Sequence, residues 1–302
     1  MLLGTTYKHK QISWLSLNNE VAFTEIVGLK FDIIRLGVYW SDVQKSKDVF
    51  NFAEIKKLLD ICEDKKQKVL VTIGMKAPGW PEFYIPNWAI TSKLEDISKY
   101  LYSYFEKTLS TLKHYKCIYA WQIENEPLDP SGPNKQIIPI EILKNEYKII
   151  KNIDPDRNIL INIWGNNLRR NKNINKIIKI SDMIGLDLYY KQFIKRVAGI
   201  SFYLGPLGSL ESTNKYIQKF GKKLWITELQ AEPWEERSDF YLSKNPGSIN
   251  PKLLKENYVK ALKLNPDAIL FWGCEYWLWK KSQGDDNYLE IIKNIINEHK
   301  NA

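Results

Sequence analysis

Eight short apolar segments, rich in Ile, Val and Leu, alternate along this chain with segments of helical periodicity. Strands that are buried on both faces have such near-continuous apolar runs, so the pattern predicts parallel strands. The predicted strands lie near residues 1–6, 31–37, 68–74, 117–123, 158–163, 182–188, 223–228 and 267–272. Eight strands separated by helices predict an α/β protein with a closed (β/α)8 TIM barrel, and an open doubly wound sheet is the alternative.

Helical signals fall between these strands. Apolar residues recur at helical spacing from Leu94 to Leu112, after a capping-box pattern at 92–95, and Asn250-Pro251 predicts a helix start. No glycine-rich phosphate-binding motif follows the first strand. This absence disfavours the doubly wound alternative, whose nucleotide-binding members carry such a motif there.

The size of the chain predicts a single catalytic domain spanning residues 1–302, since barrels of this length are commonly one domain. No apolar stretch reaches the roughly 18 residues of a membrane span, and no signal peptide is visible after Met1. We therefore expect a cytoplasmic protein with no membrane partner, or a secreted one if a signal was trimmed. Its three cysteines are widely spaced, which predicts reduced thiols: Cys62, Cys117 and Cys274.

The formal net charge of +9 raises the possibility of a nucleic-acid partner. The basic pairs, such as Lys56-Lys57, Lys222-Lys223 and Lys280-Lys281, are scattered over several predicted helices and turns. A phosphate-binding face requires clustered charge, so the distribution favours a solvated surface and no nucleic-acid partner. The sequence does not indicate an oligomeric state.

Long connections follow several predicted strands, at 75–92, 189–206 and 229–249. Barrel enzymes keep their active sites in such loops, at the carboxyl ends of the strands. Most of the 11 Trp residues fall at strand ends or in loops, and we consider Trp80, Trp234 and Trp277 as surfaces on which sugar rings stack. The alternative is that these side chains cover the hydrophobic core beneath long loops.

Two glutamates lie at the ends of strand-like segments. Glu126 lies in WQIENEP at 121–127, and Glu228 ends LWITE at 224–228. Hydrolysis of a glycosidic bond requires two carboxyl groups, one to protonate the leaving oxygen and one to attack or stabilise the anomeric carbon. The pair predicts a sugar-cleaving enzyme, although Glu126 as a rim residue paired with a lysine and Glu228 as a helix cap are alternatives.

The sequence resembles glycoside hydrolase clan A, which includes the cellulase-like and mannanase-like family 5 and the β-galactosidase-like family 42. Asn125-Glu126-Pro127 after the fourth strand matches the Asn-Glu-Pro of the clan. The resemblance implies that Glu126 is the general acid/base, that Asn125 binds the sugar 2-hydroxyl, and that Glu228 is the nucleophile.

Other strand ends extend the resemblance. Arg35 on the second strand and Tyr189 after the sixth are similar to the residues that orient the nucleophile, and Trp272 is similar to the tryptophan beneath the reacting sugar. Asp187 stands where family 5 enzymes usually have a histidine. The role of Asp187 is open, as is that of His9, which lies in the first loop and is a candidate for substrate contact.

The resemblance implies a retaining β-glycosidase that acts by double displacement on β-linked oligo- or polysaccharides of gluco, manno or galacto configuration. Two carboxyl groups suffice for this reaction, so we expect no cofactor and no catalytic metal. A barrel that binds carbohydrate without cleaving it is the alternative. The other acids near the strand ends are expected to be structural or to line subsites: Glu124, Glu232, Glu235, Glu236 and Glu275.

Overall fold

The computed structural model describes residues 1–90, 94–132, 135–165, 172–206, 210–236 and 246–301. Its strands are β1 Leu2–Tyr7, β2 Ile33–Gly37, β3 Lys68–Ile73, β4 Ile118–Ile123, β5 Asn158–Trp164, β6 Met183–Leu188, β7 Gln192–Val197, β8 Ile200–Leu204, β9 Lys223–Gln230 and β10 Ala268–Trp272. Eight of them form a closed barrel in the order β1-β10-β9-β6-β5-β4-β3-β2. The fold is therefore the predicted (β/α)8 barrel.

The helices are α1 His9–Trp14, α2 Asn19–Gly28, α3 Trp40–Val43, α4 Ala53–Asp64, α5 Leu94–Leu112, α6 Ile140–Ile153, α7 Lys172–Ile177, α8 Leu210–Gln218, α9 Pro251–Leu262, α10 Cys274–Ser282 and α11 Asn287–Asn301. A short 3-10 turn covers Asn87–Ala89. The start of α9 confirms the predicted cap, because the Asn250 side chain accepts a hydrogen bond from the backbone N–H of Leu253. The capping-box prediction rests on Ser92 and Lys93, which lie outside the described residues.

The barrel strands are buried along almost their whole length. Every residue of β2 and of β6 is buried, as expected for strands covered on both faces. Neighbouring strands pair in parallel, for example with Gln122 of β4 opposite Leu160 of β5. Glu126 lies just after the carboxyl end of β4, and Glu228 lies within β9 near its carboxyl end.

Two compact units make up the chain. The first comprises Met1–Asp32, Trp164–Asn171 and Leu186–Ala302, and it contains Glu228. The second comprises Ile33–Ile163 and Lys172–Gly185, and it contains Glu126. The single-domain assignment made from chain length stays a prediction.

The connection after β6 contains a hairpin that the sequence analysis did not predict. Strands β7 and β8 pair antiparallel around Ala198 and Gly199, whose φ angles are +48° and +80°. A two-residue turn with positive φ at both positions matches the twist of a hairpin, and glycine adopts it without strain.

The cysteines and the helix lengths bear on two further predictions made from the sequence. Cys62, Cys117 and Cys274 are all free and buried, in agreement with the predicted reduced thiols. No helix in the described part of the chain is long and apolar enough to span a membrane.

Candidate active site

The main chain turns sharply after β4, where Glu126 follows the strand. Glu124 has φ +57° and Glu126 has φ +43°, both in the left-handed region. This region costs a residue with a side chain roughly 1–2 kcal/mol, so other contacts must hold the turn in place.

Lys76 and Asn162 supply contacts of this kind. The Lys76 side chain is fully buried, and its Nζ donates to the carbonyl oxygen of Glu126 at 2.7 Å, to Ser131 Oγ at 2.6 Å and to the carbonyl oxygen of Asp129 at 3.3 Å. Asn162 Oδ1 accepts the backbone N–H of Glu126 at 2.9 Å. Both peptide groups of Glu126 are thereby fixed by buried side chains.

Two hydrogen bonds hold the side-chain amide of Asn125 through its oxygen atom, Oδ1. Arg35, which is fully buried, donates from Nη2 to Asn125 Oδ1 at 2.6 Å and from Nε to Thr72 Oγ1 at 3.2 Å. Asn162 Nδ2 donates to the same Asn125 oxygen at 3.0 Å. Two donors on the oxygen orient the amide so that its NH2 group is the part suited to bind a sugar hydroxyl. The predicted contact of Arg35 with Glu228 stays a prediction.

A pair of buried carboxyl groups lies behind this turn. Glu124 accepts the backbone N–H of Met75 at 2.9 Å and that of Lys76 at 2.5 Å. Burial raises the pKa of Glu124 to about 7, although these hydrogen bonds oppose the rise. Burial also raises the pKa of Glu146, and the neighbouring charge of Glu124 raises it further. The pair therefore holds protons more tightly than exposed glutamates do.

Glu228 lies within β9 near its carboxyl end and is 2% exposed. The hydroxyl of Tyr189, also buried, donates to Glu228 Oε2. The ring of Trp234 packs edge-on against Tyr189, with centroids 4.8 Å apart. A phenol that donates to a carboxylate stabilises its ionised form, which is the form a nucleophile needs.

Trp272 contacts a buried lysine at the end of β1. Lys8 Nζ lies 3.6 Å from the centroid of the Trp272 ring, and 3.3 Å from both Glu232 Oε1 and Glu275 Oε2. Burial lowers the pKa of Lys8, but nearby negative charges, those of Glu232 and Glu275 foremost, together raise it by more. The ammonium group is therefore a fixed positive charge against one face of the indole.

The remaining aromatic candidates differ in exposure. Trp80 is 64% exposed and Trp234 is 39% exposed, so both have surface available for a ligand. Trp277 is fully buried in α10, and its Nε1 donates to the carbonyl oxygen of Ala231 at 2.8 Å. This corrects the prediction that Trp277 binds substrate, because it has no surface for a sugar ring.

Two further positions had an open role. His9 is buried and begins α1. Asp187 is fully buried and accepts a hydrogen bond from Thr227 Oγ1 at 2.5 Å. These observations give neither His9 nor Asp187 a contact with substrate.

Three buried residues that contact the candidate side chains or their turns were not predicted from the sequence: Lys8, Lys76 and Asn162. Asn162 is a polar residue between the apolar Ile161 and Ile163 of β5, which was a usable signal. The lysines carried no such signal, because lysine is abundant throughout the chain. Among the described residues, no group of three or more His, Cys, Asp and Glu side chains is placed to hold a metal ion.

Solved structures with the same fold are glycosidases of several families. Xylanase 10B from Thermotoga petrophila, solved with xylobiose, has a TM-score of 0.60 at 18% identity, over 90% of this chain and 82% of that one. A protein of family 5 subfamily 18 from Streptomyces cattleya, solved with GlcNAc, has a TM-score of 0.64 at 13% identity, over 90% and 70%. A β-galactosidase from Halorubrum lacusprofundi has a TM-score of 0.62 at 12% identity, over 90% of this chain but 52% of its own.

Sequence comparison gives the family directly. A search of curated proteins found no significant match. The family model described as cellulase (glycosyl hydrolase family 5) matches residues 4–185, which is more than half of the chain. This stretch includes Arg35 and the Asn125-Glu126-Pro127 motif, but it ends before Tyr189 and Glu228. The chain thus belongs to glycosyl hydrolase family 5 of clan A, and it is a glycoside hydrolase.

Proposed function

We propose that this glycoside hydrolase cleaves β-linked oligo- or polysaccharides with retention of anomeric configuration. Glu228 is the nucleophile and Glu126 is the general acid/base. The observation that carries the proposal is the hydrogen bond from Tyr189 to Glu228, at the end of a barrel strand and with both residues buried. A donor that stabilises a carboxylate suits an attacking group.

The reaction has two steps. In the first, a Glu228 oxygen attacks the anomeric carbon while Glu126 gives its proton to the glycosidic oxygen, so that the C–O bond breaks and a glycosyl-enzyme ester forms. In the second, Glu126 removes a proton from water, the water oxygen attacks the anomeric carbon, and the Glu228 carboxylate is released. Two inversions give overall retention.

The proposed substrate contacts follow from the exposed and oriented groups. The NH2 group of Asn125 donates to the 2-hydroxyl of the reacting sugar, Arg35 orients Asn125, and Trp272 packs beneath the ring. Trp80 and Trp234 provide exposed aromatic surface for neighbouring sugar units. The structural neighbours solved with xylobiose and xylotriose make β-linked xylo-oligosaccharides candidates beside gluco, manno and galacto substrates.

A substrate screen tests the proposal. Aryl β-glycosides of glucose, mannose, galactose and xylose are assayed beside β-linked oligosaccharides, and NMR identifies the anomer released first. We expect hydrolysis with initial release of the β-anomer. Release of the α-anomer would contradict retention, and sugar binding without any release of reducing ends would favour a binding protein.

A further inference from the structure

We propose that Lys76 is a positioning residue for the general acid/base. Its buried ammonium group fixes the main chain at Glu126 and so sets the direction from which the carboxyl group donates its proton. The inference rests on the proposed role of Glu126, and it assigns a function to a residue that does not belong to the Asn-Glu-Pro motif.

The ammonium group of Lys76 is surrounded by acceptors from a single loop. An ammonium has three protons, and Lys76 directs them at the carbonyl oxygen of Glu126, the Oγ of Ser131 and the carbonyl oxygen of Asp129. Glu82 Oε2, at 3.6 Å, compensates the charge. A buried charge is costly unless it is paired and hydrogen-bonded, so a side chain with no exposed surface and a full set of partners has a specific place in this structure.

The main chain of Lys76 is tied to the same turn. Its backbone N–H and that of Met75 both donate to the carboxyl group of Glu124, two residues before Glu126. Gly74 permits this approach, because a Cβ at that position would lie 2.3 Å from the Glu124 carboxyl carbon. The segment that follows β3 thus contacts the turn after β4 at two points. Its backbone N–H groups bind the Glu124 carboxyl group, and the Lys76 ammonium binds the carbonyl oxygen of Glu126.

This binding matters because the backbone of Glu126 is in an unfavourable conformation. At φ +43° the residue gains from relaxing toward the ordinary helical or extended regions. Relaxation would swing the Cα–Cβ bond and carry the carboxyl group with it. A displacement of about 1 Å at a reacting group can cost roughly 100-fold in rate. Lys76 and Asn162 oppose that displacement from the two sides of the residue.

A purely structural role for Lys76 and a positioning role predict different effects of its loss on the rates. Loss of a structural lysine lowers the melting temperature and scales the rate on all substrates alike. Loss of a positioning lysine weakens proton donation, which matters for poor leaving groups and hardly at all for leaving groups that depart without a proton. The dependence of rate on the leaving group therefore separates the two roles.

The experiment compares Lys76→Met with the parent on a phenyl and a 2,4-dinitrophenyl β-glycoside of whichever sugar the screen identifies. The measured quantity is kcat/KM, which reports the first, bond-breaking step. We expect a fall of about 10–100-fold on the phenyl glycoside and of less than about 3-fold on the dinitrophenyl glycoside. Equal falls on the two substrates would overturn the proposal.

Two controls complete the design. Leu109→Ala removes a fully buried side chain of α5 and is expected to lower the melting temperature without changing the ratio of the two rates. If Lys76→Met does not fold, Ser131→Ala removes one acceptor of the ammonium and is expected to give a smaller loss, again confined to the phenyl glycoside. An unchanged ratio in Ser131→Ala would then count against the positioning role.

Glu126→Ala separates failure of this inference from failure of the proposed function. If Glu126→Ala depends on the leaving group but Lys76→Met does not, Glu126 is the acid and Lys76 does not position it. If neither variant depends on the leaving group, the assignment of Glu126 itself is wrong.

Discussion

The two proposed catalytic carboxyl groups are held in different ways. Glu228 is 2% exposed, and Tyr189 donates directly to one of its carboxylate oxygens. Glu126 is half-buried, and Lys76 and Asn162 bind its main chain. A nucleophile works best when its attacking atom is fixed and ionised, whereas an acid/base must release and recover a proton. The difference suggests that the fold fixes a carboxylate oxygen of Glu228 but only the main chain of Glu126.

The largest expected effect comes from Glu228. Glu228→Gln keeps the volume of the side chain but removes the attacking oxygen, so we expect turnover to fall by about 10⁴–10⁶-fold on every substrate. Steady-state rates on activated and unactivated glycosides, with circular dichroism as a check of folding, measure the effect. Activity within tenfold of the parent would exclude Glu228 as the nucleophile.

Glu126→Ala should have a smaller and more selective effect. Because proton donation matters most for poor leaving groups, we expect kcat/KM to fall by about 10²–10⁴-fold on a phenyl glycoside and far less on a dinitrophenyl glycoside. Measuring kcat/KM on this pair of substrates tests the assignment. Equal losses would mean that Glu126 binds substrate but does not donate a proton.

Tyr189→Phe tests the direct contact to Glu228. The variant loses a donor that stabilises the ionised carboxylate, so we expect a rate loss of about 100-fold and an acidic limb of the pH profile that moves to higher pH. The profile of kcat/KM against pH measures both.

Tyr104→Phe is the matched control for that variant. The Tyr104 hydroxyl is buried and donates to the carbonyl oxygen of Val38 at 2.7 Å, within the other unit. The Tyr104→Phe variant should be less stable than the parent, but the acidic limb of its pH profile should not move. An unmoved limb in Tyr189→Phe would make Tyr189 structural as well. If Arg35 also contacts Glu228, as the family resemblance predicts, the losses in Arg35→Met and Tyr189→Phe should not add in the double variant.

The smallest effect concerns stability near Glu126. The pKa of Glu124 rises from 4.5 to about 7 in the folded protein, so the folded state binds this proton more tightly than the unfolded state does. This contribution is complete below pH 4.5 and is lost as the pH rises through 7, by roughly 3 kcal/mol in all. Melting temperatures measured across that range test it. Glu124→Gln, which cannot ionise at this position, should flatten the decline, and an equally steep decline in this variant would show that Glu124 is not its source.

The sequence allowed the barrel to be predicted but not the hairpin after β6. Each barrel strand is an apolar run because both of its faces are buried, and a run of this kind can be recognised without knowledge of its neighbours. Strand β7 is exposed from Ile194 to Val197, so it lacks that signature. The turn at Ala198-Gly199 between β-branched residues was the available signal.

The site could be predicted in part. Glu126 and Glu228 could be proposed as catalytic residues because each lies at or just beyond the carboxyl end of an apolar strand. The polar Asn162 between two isoleucines marked an unusual position, but its contact with Glu126 could not be predicted, because that contact depends on the register of β4 against β5, which local sequence does not encode. Trp277 was misjudged for a related reason. The connection after β10 is very short, so the residue lies inside α10 and points into the core.

The ammonium group of Lys8 makes the Trp272 indole a one-sided surface. The cation 3.6 Å from the ring centroid blocks one face of the indole, so in its proposed role Trp272 can stack against at most one sugar unit, on the opposite face. The cation also draws π-electron density towards itself, which makes the opposite face a weaker partner for positive charge. An inhibitor with a cationic ring nitrogen would gain little from this indole, whereas a neutral sugar needs only the contact of its C–H groups.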